Sequence, residues 1–221
     1  MGLNAAVEVF PSGEYAAAVA GMIADALAPG PIVITGGGTA AAVYEALAPL
    51  PIDWDAQEIL FSDERAVPPT GDASNYRMAA QTLFEPAGVR NVLRMRGEDD
   101  PEIAAAAYEA EIAGPVERGI RLQILGMGSD CHIAALFPGS PGLSQTERLV
   151  VAVDRPDGMR GITLTPPALI GAGQTFVIVT GSEKAAAVRR ALRSDEPVEA
   201  CPVHLLHDPI FLLDDAAASA L

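Results

Sequence analysis

Short apolar runs that end at glycine and lead into alanine-rich helical stretches recur along this chain, and no other feature restricts its fold as tightly. "PIVIT" (31–35) passes through "GGG" (36–38) into "TAAAVYEALAPL", whose helical pattern ends near Pro49. "EILF" (58–61) leads into a polar loop and a helix near 74–84, and "NVLRMRG" (91–97) leads as a strand into the alanine-rich helix of about 101–118. "RLQILGMG" (121–128) is a strand with a glycine turn, "RLVVAVD" (148–154) a further strand, and "QTFVIVTGSEKAAAVRRAL" (174–192) a strand, turn and helix. Ahead of them, Ser12 reads as an N-cap with Glu14 in the first turn of a helix from Tyr15 to Leu27, broken at Pro29-Gly30. Apolar runs without polar alternation are strands buried on both faces, and strands alternating with helices build a mainly parallel sheet. The expected fold is α/β, a doubly wound, Rossmann-like sheet with helices on both faces, in a single domain spanning residues 1–221. Ligands of such sheets bind beyond the carboxyl ends of the strands, so the loops there are the places to look for chemistry.

Composition limits what that chemistry acts on. Half of the 221 residues are hydrophobic, enough to bury a full core. A formal charge of −15 sets a field that repels nucleic acid and anionic membranes. An anionic ligand must then be held by a local cluster of cations and backbone donors. Lys184 is the single lysine among the 14 basic residues. No apolar run is long enough to span a membrane and the N-terminus lacks the pattern of a signal peptide, so a cytoplasmic location is expected. Cys131 and Cys201 sit in no CxxC or zinc spacing, which fits a reducing compartment.

Four loops combine unusual residues. In "ITGGGTAAA", Gly36, Gly37 and Gly38 let backbone approach an anion closely, and the helix that starts at Thr39 aims free N–H groups at it. The same glycines meet the loose dinucleotide fingerprint, with Asp55 as a ribose partner; a tight turn without a ligand is the plainer reading. In "FSDERAVPPTGDASNYRMA", Arg65 either pairs with Asp63 and Glu64 or forks onto a phosphate. In "LGMGSDCHIAALFPGS", Asp130 and His132 lie two apart ahead of a helix-like apolar segment, a spacing that suits a general base with an orienting carboxylate. Cys131 between them reads either as a nucleophile or as a small buried hydrophobe. In "VTGSEKAAAV", Lys184 sits in the first turn of a helix, where a cation is disfavoured unless an external anion joins it. His204 and His207 have no ligand partners at motif spacing, so no metal site is expected there.

Taken together and in order, "TGGGTA", "SDERAVPPTGDASNYRMA", "LGMGSDCHIAALFPGS", "GITLTPPALIGA" and "VTGSEKAAAV" resemble the 6-phosphogluconolactonase family, within the fold it shares with glucosamine-6-phosphate deaminases. The likeness runs from about residue 8 to residue 213. "DER", "SNY" and "LFPG" side with the lactonases, whereas the Ile of "CHIAALFPGS" is similar to the deaminases. The resemblance implies hydrolysis of 6-phospho-D-glucono-1,5-lactone to 6-phospho-D-gluconate, in the oxidative pentose phosphate pathway. It implies a substrate phosphate held by Gly36, Gly37, Gly38, Thr39 and Lys184, with Asp63 and Arg65 lining the site. His132 would activate water and Asp130 would orient it. Arg160 stands in for an arginine that the family carries one place later, where this chain has Gly161. Neither a metal nor an organic cofactor is implied, and the partner is a small sugar-phosphate lactone bound by a monomer or small homo-oligomer. Two further departures are Cys131, where the family has glycine, and Gly38-Thr39-Ala40, where Ser, Thr and Pro are typical. An amino-sugar phosphate deaminase and a catalytically silent sugar-phosphate-binding protein are the alternative readings.

Overall fold

The computed structural model describes Leu3 to Leu221. Strands β1 (Ala6–Phe10), β2 (Gly30–Ile34), β3 (Gln57–Phe61), β5 (Leu122–Gly126), β8 (Thr175–Val179) and β9 (Ile210–Asp214) form one parallel sheet in the order β1-β9-β8-β5-β2-β3. Strands β4 (Asp63–Arg65), β6 (Val150–Asp154) and β7 (Arg160–Leu164) form a second, antiparallel sheet with β7 in the middle. Helices α1 (Tyr15–Ala26), α2 (Gly38–Leu47), α3 (Asn75–Ala79), α4 (Glu85–Ala87), α5 (Pro101–Arg118), α6 (Pro166–Leu169) and α7 (Ala185–Arg193) connect them, α3 passing through a π turn at Ala80–Phe84 into α4. This is the doubly wound α/β class expected from the alternation.

The inner strands form where apolar side chains follow one another without interruption. Ile32, Val33 and Ile34 of β2, and Phe176 to Val179 of β8, are all buried, as a strand covered on both faces requires. The exposed strand β1 lies at the sheet's edge. The helices bury apolar residues three and four apart: Ala40, Val43, Tyr44 and Leu47 in α2, for example. From β2 the chain steps outward to β3, returns to lay β5 on the other side of β2, and proceeds outward through β8 to β9. The carboxyl ends of β2 and β5 therefore diverge at a topological switch point, the place where open α/β sheets hold ligands.

Two helical tyrosines pin the strand ends from which the loops depart. The Tyr44 hydroxyl donates to the Thr35 carbonyl at 2.9 Å and accepts from the Thr35 N–H at 3.1 Å, just past β2. The Tyr108 hydroxyl accepts from the Phe61 N–H at 2.8 Å and donates to the Phe61 carbonyl at 3.3 Å, at the end of β3. Burial raises the pKa of both phenols, so each stays a protonated donor. Ser62 then joins the two sheets, its N–H donating to Ile34 and its carbonyl accepting from Leu164 at 2.8 Å each.

Three local expectations are corrected. Ser12 caps nothing; Glu14 takes the N-cap position of α1, and the Ser12 hydroxyl donates to Asp214 and Asp215 at the end of β9. "NVLRMRG" makes only one bridge, Val92 to Ile59, because Arg94 and Arg96 turn outward to Glu98 and Asp99. "RLVVAVD" is the strand expected, β6, and it pairs antiparallel in the second sheet. The segment after His132 is no helix, since Ala134 takes a left-handed φ of 50° and Ile133 bridges back to Leu136.

Replacing Tyr44 by Phe leaves the buried Thr35 N–H and carbonyl without partners. We expect it to lower unfolding stability by about 1–3 kcal/mol, read by chemical denaturation, with the loop after β2 losing amide protection ahead of the sheet.

Candidate functional site

Beyond the switch point lies a cleft in two lobes of about 430 and 280 Å³ that share Gly36, Gly37, Gly126, Met127 and Lys184. The glycine loop forms its floor. Gly37 has φ 100°, and α2 begins at Gly38, so the unbonded first-turn N–H groups open onto the first lobe. Gly36 is obligatory for a different reason: a Cβ there would sit 1.8 Å from Oδ1 of Asn75. The Thr39 hydroxyl shares a 2.6 Å hydrogen bond with Thr180. Lys184, in the 3-10 turn before α7, lines both lobes and makes no ion pair among the described residues.

The acidic stretch after β3 is an internal scaffold, with Asp63 and Glu64 both buried. Glu64 accepts from the backbone N–H of Arg65, Asn75 and Tyr76 at 2.8 Å and from the Ser74 hydroxyl at 2.9 Å. Burial raises its pKa against the pull of those four donors. The Asn75 amide donates to the Asp63 carbonyl at 2.9 Å, and Arg65 Nη1 to the Ala73 carbonyl at 2.7 Å. Neither acid beside Arg65 pairs with its guanidinium. Arg65 Nε and Asn75 Oδ1 are buried with no partner among the described residues, and both side chains line the second lobe. An unspent donor and acceptor on one polar wall suit a polyhydroxylated ligand.

His132 faces this second lobe. Its Nδ1 lies 2.6 Å from Asp130 Oδ1, and its backbone N–H donates to the same oxygen at 3.2 Å. Burial works against the charge of Asp130, but the His132 ring and N–H outweigh it and hold the carboxyl at about 2. An ionised Asp130 accepts only, so Nδ1 carries the proton and Nε2 keeps its lone pair. The ring packs on Phe137 at 4.5 Å between centroids. Gly128 makes the pair feasible: a Cβ there would meet Nδ1 at 2.1 Å and Asp130 Oδ1 at 2.5 Å.

Cys131 adopts φ 71°, the left-handed conformation that glycine takes without strain. Its thiol points away from the cleft, towards the Ala187 carbonyl at 3.6 Å, and its interaction with the Cys201 thiol lowers the Cys131 pKa and raises that of Cys201. A buried thiol so placed is no nucleophile for the cleft.

The structure brings Gly36, Gly37, Gly38, Thr39, Asp63, Arg65, His132 and Lys184 to one cleft, with Asp130 behind His132. It leaves Arg160 out. That side chain is 43% exposed and pairs with Glu102 at 3.0 Å and Asp154 at 3.5 Å, because alternation along β7 turns it away from the cleft. Arg155 enters instead, 9% exposed, from the end of β6. Arg155 does not stand out in the sequence, whereas Asn75 belongs to "SNY" but is not marked by it as a site residue, because it reaches the cleft through contacts with residues distant along the chain. Asp55 lies before β3, at the opposite end of the sheet from the glycines, which removes the dinucleotide reading. His204 holds two backbone carbonyls, of Glu196 at 2.7 Å and Ala191 at 2.9 Å, and no metal-binding cluster occurs among the described residues. No helix among the described residues is long and apolar enough to cross a membrane.

Residues 12–211 match the family model described as glucosamine-6-phosphate isomerases/6-phosphogluconolactonase. A 6-phosphogluconolactonase of Treponema pallidum is 37% identical over 161 residues, 69% of this chain and 66% of that protein. One from Mycobacterium tuberculosis is 32% identical with 99% of each chain covered. Among solved structures, a 6-phosphogluconolactonase from Thermotoga maritima superposes with a TM-score of 0.84 at 26% identity, covering 96% of this chain and all of that one. A monomeric glucosamine-6-phosphate deaminase superposes with 0.85 at 21% identity, covering 98% of this chain and all of that one, a likeness of fold.

Replacing Glu64 by Ala strands four donors at once; we expect a loss upwards of roughly 3 kcal/mol in unfolding stability, with sugar-phosphate binding lost in what remains folded. Asp130, depressed from 3.8 to about 2, contributes stability that is present above its ordinary value and disappears as pH falls through about 2. Asp130→Asn should therefore flatten the acid limb of the unfolding midpoint relative to the parent, measured by thermal melts between about pH 5 and pH 2.

Proposed function

The chain belongs to the glucosamine-6-phosphate isomerase/6-phosphogluconolactonase family, and from that premise we propose that it hydrolyses 6-phospho-D-glucono-1,5-lactone to 6-phospho-D-gluconate. The observation that carries the reading is the Asp130–His132 pair opening onto the same cleft as the glycine loop and Lys184. The relatives that match along almost their whole length bear the name of that activity.

The substrate has one permanent dianion and one electrophilic carbon, and the cleft offers a place for each. The phosphate sits in the first lobe, against the N–H groups of Gly38 and Thr39 and the Lys184 ammonium. The ring then extends into the second lobe, its hydroxyls facing Asn75 and Arg65, and the lactone carbonyl lies near His132. Nε2 takes a proton from a water as that water's oxygen adds to the carbonyl carbon. Collapse of the tetrahedral adduct breaks the bond to the ring oxygen, which receives the proton back from His132. Asp130 stays ionised throughout, fixing the tautomer and stabilising the transient imidazolium. Ring opening gives a single product bearing a new carboxyl and a new hydroxyl at no change of oxidation state, so no redox or group carrier is called for. We place the reaction in the oxidative pentose phosphate pathway, in the cytoplasm. The deaminase alternative rests on the shared family description and on a likeness of fold at 21% identity.

Freshly generated lactone should be hydrolysed well above its spontaneous rate. His132→Ala should lower kcat by about 10²–10⁴-fold with the melting temperature intact. Lys184→Ala should raise KM about tenfold or more while kcat changes little. Wild type without acceleration, or full turnover in His132→Ala, would overturn the assignment.

A further inference from the structure

Arg155 is the one cation of the second lobe that no sequence motif points to, and its surroundings are built around it. It directly follows the last residue of β6 and opens the turn in which its own N–H donates to the Met159 carbonyl at 2.9 Å and its carbonyl accepts from Gly158 at 3.0 Å. From there the side chain runs across β7 at Gly161, the cross-strand partner of Val153. A Cβ on Gly161 would stand 3.3 Å from Arg155 Cδ and 2.9 Å from the Glu64 carbonyl, so glycine at 161 is what leaves the passage open. The guanidinium lies over Phe137 at 5.3 Å, the ring that also packs on His132. Nε donates to Asp157 at 3.2 Å and Nη1 stands 3.7 Å from Asp63 Oδ2. That is an ion pair without a hydrogen bond, so the terminal N–H groups keep their donor capacity among the described residues.

We propose that Arg155 binds the reacting end of the ligand: the oxygen that gains charge as water adds to the lactone carbonyl, and afterwards the product carboxylate. This rests on the lactonase reading for the reaction, though the carboxylate site stands without it. The division of the cleft points to that end. Arg155 and His132 line only the second lobe, while the first has the helix N-terminus, and Lys184 spans both. A planar fork matches a carboxylate with two parallel donors. Burial at 9% exposure strengthens its attraction for new charge. Phe137 holds the guanidinium and imidazole on one platform, and the Asp63 carboxylate keeps the fork from swinging out.

The test compares wild type, Arg155→Ala and Arg155→Lys on three readouts: lactone turnover, binding of 6-phosphogluconate, and binding of glucitol 6-phosphate, which has the phosphate and hydroxyls but no carboxylate. Arg155→Ala should lower kcat by about 10²-fold and weaken 6-phosphogluconate at least about tenfold, leaving glucitol 6-phosphate within about twofold. Arg155→Lys should recover part of each loss, and added guanidinium ion should partly restore kcat to Arg155→Ala. Equal weakening of both ligands would overturn the proposal, making Arg155 a phosphate ligand or a structural support, as would unchanged kcat and product affinity. If wild type hydrolyses no lactone, the activity reading fails, yet selective loss of 6-phosphogluconate binding would still establish Arg155 as the carboxylate site.

Discussion

A carboxylate that loses its water must find donors or give up its charge, and Glu64 finds four within 2.9 Å. Those donors belong to β4 and to the start of α3, so the single acceptor fixes where one sheet ends relative to where the next helix begins. Asn75 is thereby set against Gly36 so closely that no side chain fits there, and the position of the glycine loop follows from it. Arg65 is held by the same turn, through the Ala73 carbonyl. Tyr44 and Tyr108 fix the other boundary of these loops by closing the last peptide groups past β2 and β3. The cleft is therefore made of loops whose ends are rigid, and its ligand meets donors already in place.

What the sequence showed of this arrangement is what neighbouring residues can show. β2, β5 and β8 are legible because strands covered on both faces must be apolar throughout. β1 and β9 at the chain ends carry no glycine turn into a helix and escape the alternation, and β4 is only three residues long. "NVLRMRG" misleads because its spacing suits a strand while its arginines are taken by local acids. In the site, the Asp130–His132 pair and the glycine loop are contiguous and could be read directly. Arg155 reaches the cleft only through pairing of β6 with β7, and the Asn of "SNY" is turned onto the cleft by Glu64, long-range facts that the local motif does not encode. Arg160 was the natural choice beside Gly161, but one step along a strand reverses the face.

Electrostatics sharpen the division of labour. In a chain of net charge −15, an approaching phosphorylated ligand meets a repulsive field everywhere except where cations gather. The cleft collects Arg65, Arg155 and Lys184 against Asp63 and Glu183, so its local balance opposes that of the surface. The other arginines at hand are spent on acids outside: Arg160 on Glu102, Arg94 on Glu98, Arg148 on Glu109. Binding thus depends on short-range donors, which salt screens less than a long-range field. Lys184 spans both lobes while Arg65 and Arg155 line the second alone, so positive charge is on offer at each end of the cleft.

The backbone at Cys131 shows how the Asp130–His132 pair is kept in place at a cost the surroundings absorb. A non-glycine residue at φ 71° costs about 1 kcal/mol. Burying the small side chain beside Ala187 and Cys201 returns a similar amount. The left-handed turn is what lets the Cys131 N–H reach the Gly128 carbonyl at 3.0 Å, and the His132 carbonyl accept from Gly128 at 2.9 Å. That closed loop presses Asp130 and the His132 ring together over a residue with no Cβ. On the far side, the Cys131 carbonyl accepts from Val203 at 3.1 Å, tying the loop to the segment before β9. Glycine at 131 would relieve the turn but remove the buried thiol that anchors it. The cysteine therefore keeps the conformation that the motif needs and adds a second attachment to the core, which is why a departure in sequence leaves the geometry of His132 intact.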